Sequence, residues 1–414
     1  MVGHRVRLEV RVYDEVVGEL VAGPGGRTQF LPNRDWRLRG QVPRLGWAYY
    51  TGQARPTEIG LVPSWFANLL PEAGGLLRRQ VCQAHQISEN NEPALLSVLG
   101  EDLSGAVSIA GSVEDLDEAY FETEESVEAG RFRFSVAGMQ PKFSLLQKAG
   151  RWVFAGRGDV GSFFFKLGGM LPELPEVELA TMRWASEMGL EVPECFVLRD
   201  GLDGPGSPFR AGDVAFGIRR FDRGPGACRV HQEDFAQVLD LHPTDKYGGP
   251  GRKDWSFDAL AGLVRDACGG DGFEDFVRRV GFMVACGNTD AHLKNWSFQW
   301  RNGASRPNLS PCYDLVSTIS WPDFGWQTGK PAPELALPFA GTQDLSAIDR
   351  DRFALFASRC RDPRAQELLE EALVLARESW PRVASGAPER MRAGLGEHWA
   401  RVPALKSLGG LPGA

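Results

Sequence analysis

The chain has 414 residues, 43% of them hydrophobic and 24% charged, which is the makeup of a globular protein with more than one lobe and enough core to need no staples. A formal net charge of −8 argues against nucleic acid as the main partner, because phosphate backbones are held by an excess of Lys and Arg. Seven cysteines (Cys82, Cys195, Cys228, Cys268, Cys286, Cys312 and Cys360) are scattered without a CxxC pair, so buried thiols in a reducing compartment are expected rather than disulfides or a zinc site.

The opening MVGHRVRLEV lacks the long apolar segment of a secretory leader, and no run of about 18 apolar residues occurs. A cytoplasmic chain without a membrane span is expected. Across 4–50, Val6, Leu8, Val10 and Val12 alternate with polar residues, and Gly and Pro interrupt often. That period of two predicts a small antiparallel sheet. Around 63–83, Trp65, Phe66, Leu69, Leu70, Leu76 and Leu77 fall on roughly one side of a helical stretch. Acidic residues crowd 112–130, which reads as a solvated linker and a lobe boundary.

From Arg131 the texture changes. RFRFSVAGMQPKFSLLQKAGRWVF predicts a hairpin with turns near Gly138 and Gly150, and SFFFKLGG a short apolar strand ending in Lys166. ELPEVELATMRWASEMGL predicts an amphipathic helix, with Val177, Ala180, Trp184 and Met188 at helical spacing and Gly189 as its stop. ECFVLRDG and DVAFGIRRFDR supply further strands. Residues 131–223 therefore run strand–strand–strand–helix–strand–strand, the order of the small lobe of a kinase. The remainder reads as largely helical, apart from a hairpin across NWSFQWRNGASRPNLSPCYD.

The chemistry concentrates in GNTDAHLKNWSF and LSPCYDLVS. Phosphoryl transfer needs a carboxylate to orient the acceptor hydroxyl and oxygen ligands to hold Mg²⁺ on the phosphates. Asp290 and Asn295 stand five residues apart, and Asp314 follows the predicted hairpin. One Asp and one Asn suit Mg²⁺, which prefers hard oxygens and keeps several waters. The bland alternative is that Asp290 caps a helix and Asn295 and Asp314 are turn residues. His292, Lys294 and the apolar hairpin weigh against it. A second constellation is Lys166, which can reach phosphates, with Glu178 on the next helix to hold it; Glu176 is a rival for that role, and a surface Lys beside a solvated helix face is the alternative. The third is SVAGMQPK, where the turn at Gly138 could present backbone N–H groups to anionic oxygen and Lys142 could add charge.

These stretches together resemble the HipA kinases of bacterial toxin–antitoxin pairs, over nearly the whole chain. FSVAGMQPKFSLL resembles the family's phosphate loop, FKLGG the strand with the ATP-binding Lys, and RRFDR the hinge with the Asp after it. VHQEDFAQVLDLHPTDKYGGPG resembles the signature entering the large lobe, and TDAHLKN with CYDL the catalytic and metal-binding segments. VPSWFANLLPE and LLSVLGEDLSGAV fit the N-terminal part.

The resemblance, with the element order, implies an α+β, protein-kinase-like two-lobe fold. An N-terminal sheet-and-helix subdomain (1–112) and an acidic linker (113–130) would precede an ATP-binding small-lobe core (131–223) and a mostly helical C-terminal lobe (224–414). The resemblance makes Asp290 the catalytic base and Asn295 and Asp314 the Mg²⁺ ligands. It places Ala137, Gly138, Met139, Gln140, Pro141, Lys142, Lys166, Glu178, Arg219, Arg220, Phe221, His292, Lys294, Asn295, Tyr313 and Asp314 around ATP. Ser135 stands where family members carry an autophosphorylated Ser, implying an off-switch. Two positions depart from the family: Arg219 replaces the usual acidic hinge residue, and Pro141 replaces an acidic residue of the loop. The implied partner is a helix-turn-helix, HipB-like antitoxin dimer through which alone DNA is met. The implied target is a protein Ser or Thr, on an aminoacyl-tRNA synthetase of glutamyl type by analogy. A small-molecule or lipid kinase of the same fold and a catalytically silent antitoxin-binding co-repressor are the alternatives; intact Asp290, Asn295, Asp314 and Lys166 speak against silence.

Overall fold

Alternating Val6, Leu8, Val10 and Val12 put one face of the first strand in the core, at 9%, 0%, 0% and 4% exposure, as period two requires. The structure is a computed structural model that describes residues 5–13, 15–22, 28–35, 45–46, 61–114, 142–148, 151–154, 160–168, 171–199, 212–248, 255–301, 304–323 and 334–413. The chain divides into two units. The first comprises Met1–Leu167, Leu198–Pro243 and Gln299–Ser305, and the second Gly168–Val197, Thr244–Phe298 and Arg306–Ala414.

The first unit opens with an antiparallel sheet of β1 (Arg5–Val12), β2 (Glu15–Ala22), β3 (Thr28–Pro32) and β4 (Val107–Glu114), in the order β3-β2-β1-β4. Val113 and Glu114, expected in the linker, are the last residues of β4, paired with Val6 and Arg5; the rest of the linker lies outside the described residues. The single helical stretch expected at 63–83 is two pieces, a turn at Ser64–Ala67 and α1 at Leu76–His85. Pro71 cannot donate to a helix and Gly74 takes φ 72, so the helix stops and restarts. Helix α2 (Glu92–Leu99) starts on Asn91, whose side chain accepts from the Ala94 N–H. It ends at Gly100, where a Cβ would sit 2.0 Å from the Ile109 carbonyl oxygen, so only glycine lets the helix end meet β4.

The second sheet of this unit carries β5 (Lys142–Lys148), β6 (Arg151–Phe154), β7 (Phe163–Leu167) and β8 (Ala215–Arg219) as antiparallel neighbours β6-β5-β7-β8. Phe143, Phe165 and Phe216 are fully buried on it. Beside it lies a buried cluster of four charges. Arg220 grips Asp222 through Nε and Nη2 at 3.0 and 2.9 Å and reaches Asp102 through Nη1 at 2.8 Å. Arg223 donates to Asp102 at 2.9 Å and to Asp222 at 2.8 Å. The Ser144 hydroxyl donates to Asp102, and the Gly105 N–H to Asp222. Burial alone would raise both carboxyls, but the two guanidinium groups hold Asp102 below and Asp222 well below the usual carboxylate range. The cluster ties the segment after α2 to the segment after β8.

In the second unit, α3 (Leu174–Glu187) buries Val177, Ala180 and Trp184 and stops before Gly189, which takes φ 91. The long α4 (Phe257–Cys286) begins on the Ser256 hydroxyl and is broken at Gly269, with φ 82 and ψ −167. The longer helices that follow are α5 (Arg350–Cys360), α6 (Arg364–Ser379) and α7 (Glu389–Arg401). Trp184 donates its indole N–H to the Ala376 carbonyl of α6 at 2.9 Å. The expected hairpin is present as Ser297–Trp300 and Asn308–Leu309, with the Ser310 N–H donating to the Ser297 carbonyl; its Asn302-Gly303 turn lies outside the described residues. At the end of α4, His398 Nε2 donates to the Val284 carbonyl at 2.7 Å and Trp399 Nε1 to the Ala285 carbonyl at 2.9 Å. These are last-turn carbonyls that the helix itself cannot satisfy.

Two outcomes follow. Asp102→Ala leaves two buried guanidinium groups short of a partner, and a loss of about 3–5 kcal/mol in denaturant unfolding is expected. Burial pushes the His398 pKa from 6.5 down to about 4, so an unfolded chain binds a proton there that the fold refuses. Stability is then lost as pH falls from about 6.5 toward 4. His398→Gln keeps a donor for Val284 without titrating, and its unfolding midpoint should fall less steeply across that window.

Candidate active site

Helix α4 ends at Gly287, in the left-handed region at φ 65, and releases the chain into the loop 288–296. Thr318 fixes the exit: its hydroxyl donates to the Gly287 carbonyl at 2.9 Å and accepts from the Thr289 N–H at 2.8 Å. Asn288 then folds back, its Oδ1 accepting from the Asp290 N–H at 3.0 Å, a side-chain turn of the kind Asn favours. The Asp290 carbonyl accepts from the His292 N–H at 2.7 Å and from Asn295 Nδ2 at 2.9 Å. The five-residue spacing thus closes on itself. Because Nδ2 of Asn295 is the donor, its Oδ1 is an acceptor with no hydrogen bond among the described residues.

Tyr313 brings the Asp314 segment to this loop, donating its hydroxyl to the Lys294 carbonyl at 2.9 Å and bonding the Ser297 hydroxyl. Asp314 follows with φ 56, a backbone state uncommon for a residue with a side chain. Asn288, Asn295, Tyr313 and Asp314 line one pocket with Leu190 and Phe282. Asn288 is 1% exposed, and its Nδ2 has no partner among the described residues. His292 is buried beside this pocket, and burial with the nearby Lys246 and Lys294 holds its pKa well below the usual value, against the pull of Asp314. It is therefore a neutral imidazole, and its Nδ1 has no partner among the described residues. The Tyr247 hydroxyl donates to Oδ1 of Asp290 at 2.8 Å.

In the first unit, Lys166 is buried on β7, across from Lys142 and Phe216, with its ammonium 5.5 Å from the Phe216 ring centre. In the second, Glu178 is buried on α3 at 1% exposure, while its rival Glu176 is half-buried. Glu178 makes itself felt at Cys195, whose thiol is pushed up to about 11 by burial and then by this carboxylate. Arg219 is exposed and stacks over Phe163 at 4.6 Å. The Arg220 side chain has a different role from the one its position implies: its guanidinium is spent on Asp102 and Asp222 with 0% exposure, so only its backbone could serve a nucleotide. The Phe221 carbonyl accepts from Gln299 Nε2 at 2.6 Å. Ser135, Ala137, Gly138, Met139, Gln140 and Pro141 lie outside the described residues, and of Lys142 only the backbone is described.

Asn288, Tyr247 and Thr318 were not singled out by sequence reasoning. The Asn two residues before Asp290 and directly after a glycine stop carried a legible turn signal. Tyr247 and Thr318 are remote from the loop in sequence and carried none.

A family model described as the HipA-like C-terminal domain matches residues 134–380, and one described as the HipA N-terminal domain matches 8–110. A putative kinase Y4dM of Sinorhizobium fredii is 34% identical over 91% of this chain and 90% of its own length. The serine/threonine-protein kinase toxin HipA of Shewanella oneidensis is 29% identical over 77% of each chain. Among solved structures, the Shewanella oneidensis MR-1 complex of HipA, HipB and operator DNA superposes with a TM-score of 0.71 at 24% identity, covering 95% of both chains. That likeness establishes the α+β fold. With the C-terminal match alone spanning more than half of its length, the chain belongs to the HipA-like family.

Proposed function

We propose that this chain is a serine/threonine protein kinase that moves the γ-phosphate of ATP to a protein hydroxyl, as the toxin of a toxin–antitoxin pair. The observation that carries the reading is the closed Asp290–Asn295 loop, tied by Tyr313 to Asp314. It gathers one carboxylate that can orient an acceptor and two oxygen donors that can hold a cation. The acceptor oxygen forms its bond to the γ-phosphorus, the bond from that phosphorus to the bridging oxygen of ADP breaks, and the hydroxyl proton passes to Asp290.

The donor set fits Mg²⁺. Asn295 presents an amide oxygen with no hydrogen bond among the described residues, Asp314 a carboxylate in the same pocket, and both are hard donors. When bound, Mg²⁺ would supply neutralisation of charge on the phosphates. By the family resemblance, Lys166 and Glu178 would serve the α- and β-phosphates, residues 137–142 would form the phosphate loop, and Arg219–Phe221 would form the hinge.

The family supports the rest of the reading. Phosphorylation of Ser135 would add about two negative charges next to the phosphate loop and switch the enzyme off. The target would be an aminoacyl-tRNA synthetase of glutamyl type, and the partner a HipB-like helix-turn-helix dimer that alone touches DNA. No helix among the described residues is long and apolar enough to cross a membrane, and a cytoplasmic site of action follows from the proposed target.

Transfer of labelled γ-phosphate from Mg·ATP tests this. Asp290→Ala should lower transfer by about 10²–10⁴-fold with little change in thermal midpoint. Asp314→Asn should raise the Mg²⁺ concentration needed for half-maximal rate. Wild-type label should map to Ser135. An Asp290→Ala protein as active as wild type would sink the reading, and ATP binding without labelled protein would turn it to a small-molecule kinase.

A further inference from the structure

We infer that Tyr247 is a positioning residue for phosphoryl transfer, its hydroxyl fixing the orientation of the Asp290 carboxylate. This rests on the reading of Asp290 as the base. The hydroxyl donates to Oδ1 of Asp290 at 2.8 Å, a charge-assisted bond of the stronger kind.

The contact is built from both ends. The turn that carries Tyr247 is joined to the catalytic loop through the Leu293 N–H, which donates to the Lys246 carbonyl at 3.1 Å. The Gly248 N–H closes that turn on the Asp245 carbonyl at 2.8 Å. The tyrosine ring stands edge-on to His292, with centroids 5.2 Å apart and planes at 76°. The Lys246 ammonium lies 5.3 Å from the ring centre. His292 and the Lys246–Leu293 bond belong to the same loop as Asp290, so the ring and its target are held on one frame. The backbone bonds of Asp290 to Asn288, His292 and Asn295 fix its main chain. They leave its χ1 and χ2 unset. The Tyr247 hydroxyl on one carboxylate oxygen restrains them.

A carboxylate offers about four lone-pair directions, so a phenol on one does not by itself shut out an acceptor hydroxyl on another. During transfer the acceptor proton passes to Asp290, and Tyr247 remains a donor that neither gains nor loses a proton. Its contribution is to hold the carboxylate where the incoming hydroxyl must point. An opposite role has the same contact: a hydroxyl parked where an acceptor's hydroxyl belongs would block the base. The turn's bond into the loop favours a permanent brace.

The test uses the full chain with Mg·ATP and compares wild type, Tyr247→Phe, Asp290→Asn and the double variant. The readouts are the rate constant of labelled γ-phosphate transfer onto the chain, the ATP concentration at half-maximal rate, and the thermal midpoint. Tyr247→Phe should slow transfer by about ten- to a hundred-fold, with half-saturating ATP and midpoint close to wild type. In the Asp290→Asn background the same change should add almost nothing, because Tyr247 acts through that carboxylate. Equal rates for Tyr247→Phe and wild type, a faster variant, or a full additional loss in the double variant would each overturn the inference. If Tyr247→Phe lowers the midpoint, the double-variant comparison still decides, since a folding defect would slow both backgrounds alike. No transfer by wild type or any variant would overturn the kinase reading itself, and this inference with it.

Discussion

An α-helix leaves its last carbonyls without partners inside itself, and at the end of α4 two of these are met by His398 and Trp399 of α7. Just past the helix, Thr318 takes the Gly287 carbonyl and hands the chain on through the Thr289 N–H. From that fixed point the loop closes within a few residues, through Asn288, Asp290 and Asn295. The Asp290–Asn295 loop therefore inherits its geometry from a buried helix terminus. The helix terminus is itself held by side chains more than a hundred positions away in sequence, so the loop's geometry depends on the C-terminal helices.

The short-range part of this was open to sequence reading. Val6 to Val12 alternate and bury as alternation dictates, and Val177, Ala180 and Trp184 lie on one face of a helix that stops before Gly189. Asp290, Asn295 and Asp314 carried a spacing with a chemical meaning, and the first two are joined by a hydrogen bond, with Tyr313 bringing the third segment alongside. What was not legible depends on contacts between distant segments. Pro71 and Gly74 broke a helix that its apolar pattern suggested was continuous. Arg220 sat in a hinge-like motif, yet Asp102, far upstream, claims its guanidinium. Tyr247 sat within a stretch that resembled the family as a whole, and nothing local pointed its hydroxyl at Asp290.

The four-charge cluster of the first unit is a different kind of constraint. Desolvating two arginines and two aspartates is costly, and the geometry compensates with a bidentate grip, shared carboxylates and backbone donors. Such an arrangement tolerates no partial version, since each missing partner strands another charge. It makes the segment after α2 and the segment after β8 fold as one piece. The N-terminal sheet and helices are thereby not a detachable appendage of the unit.

The left-handed backbone at Asp314 narrows what evolution can write at that position. At φ 56 glycine, asparagine and aspartate sit with least strain, although longer side chains take that state elsewhere in this chain, Gln86 at φ 54 and Glu173 at φ 59. Glycine has no oxygen to offer a cation. Aspartate and asparagine therefore combine low backbone strain with a side-chain oxygen in the pocket, one charged and one neutral. An asparagine here would keep the loop's shape while removing a charge from the pocket, so sequence drift at this residue would change the pocket's electrostatics without disturbing the fold.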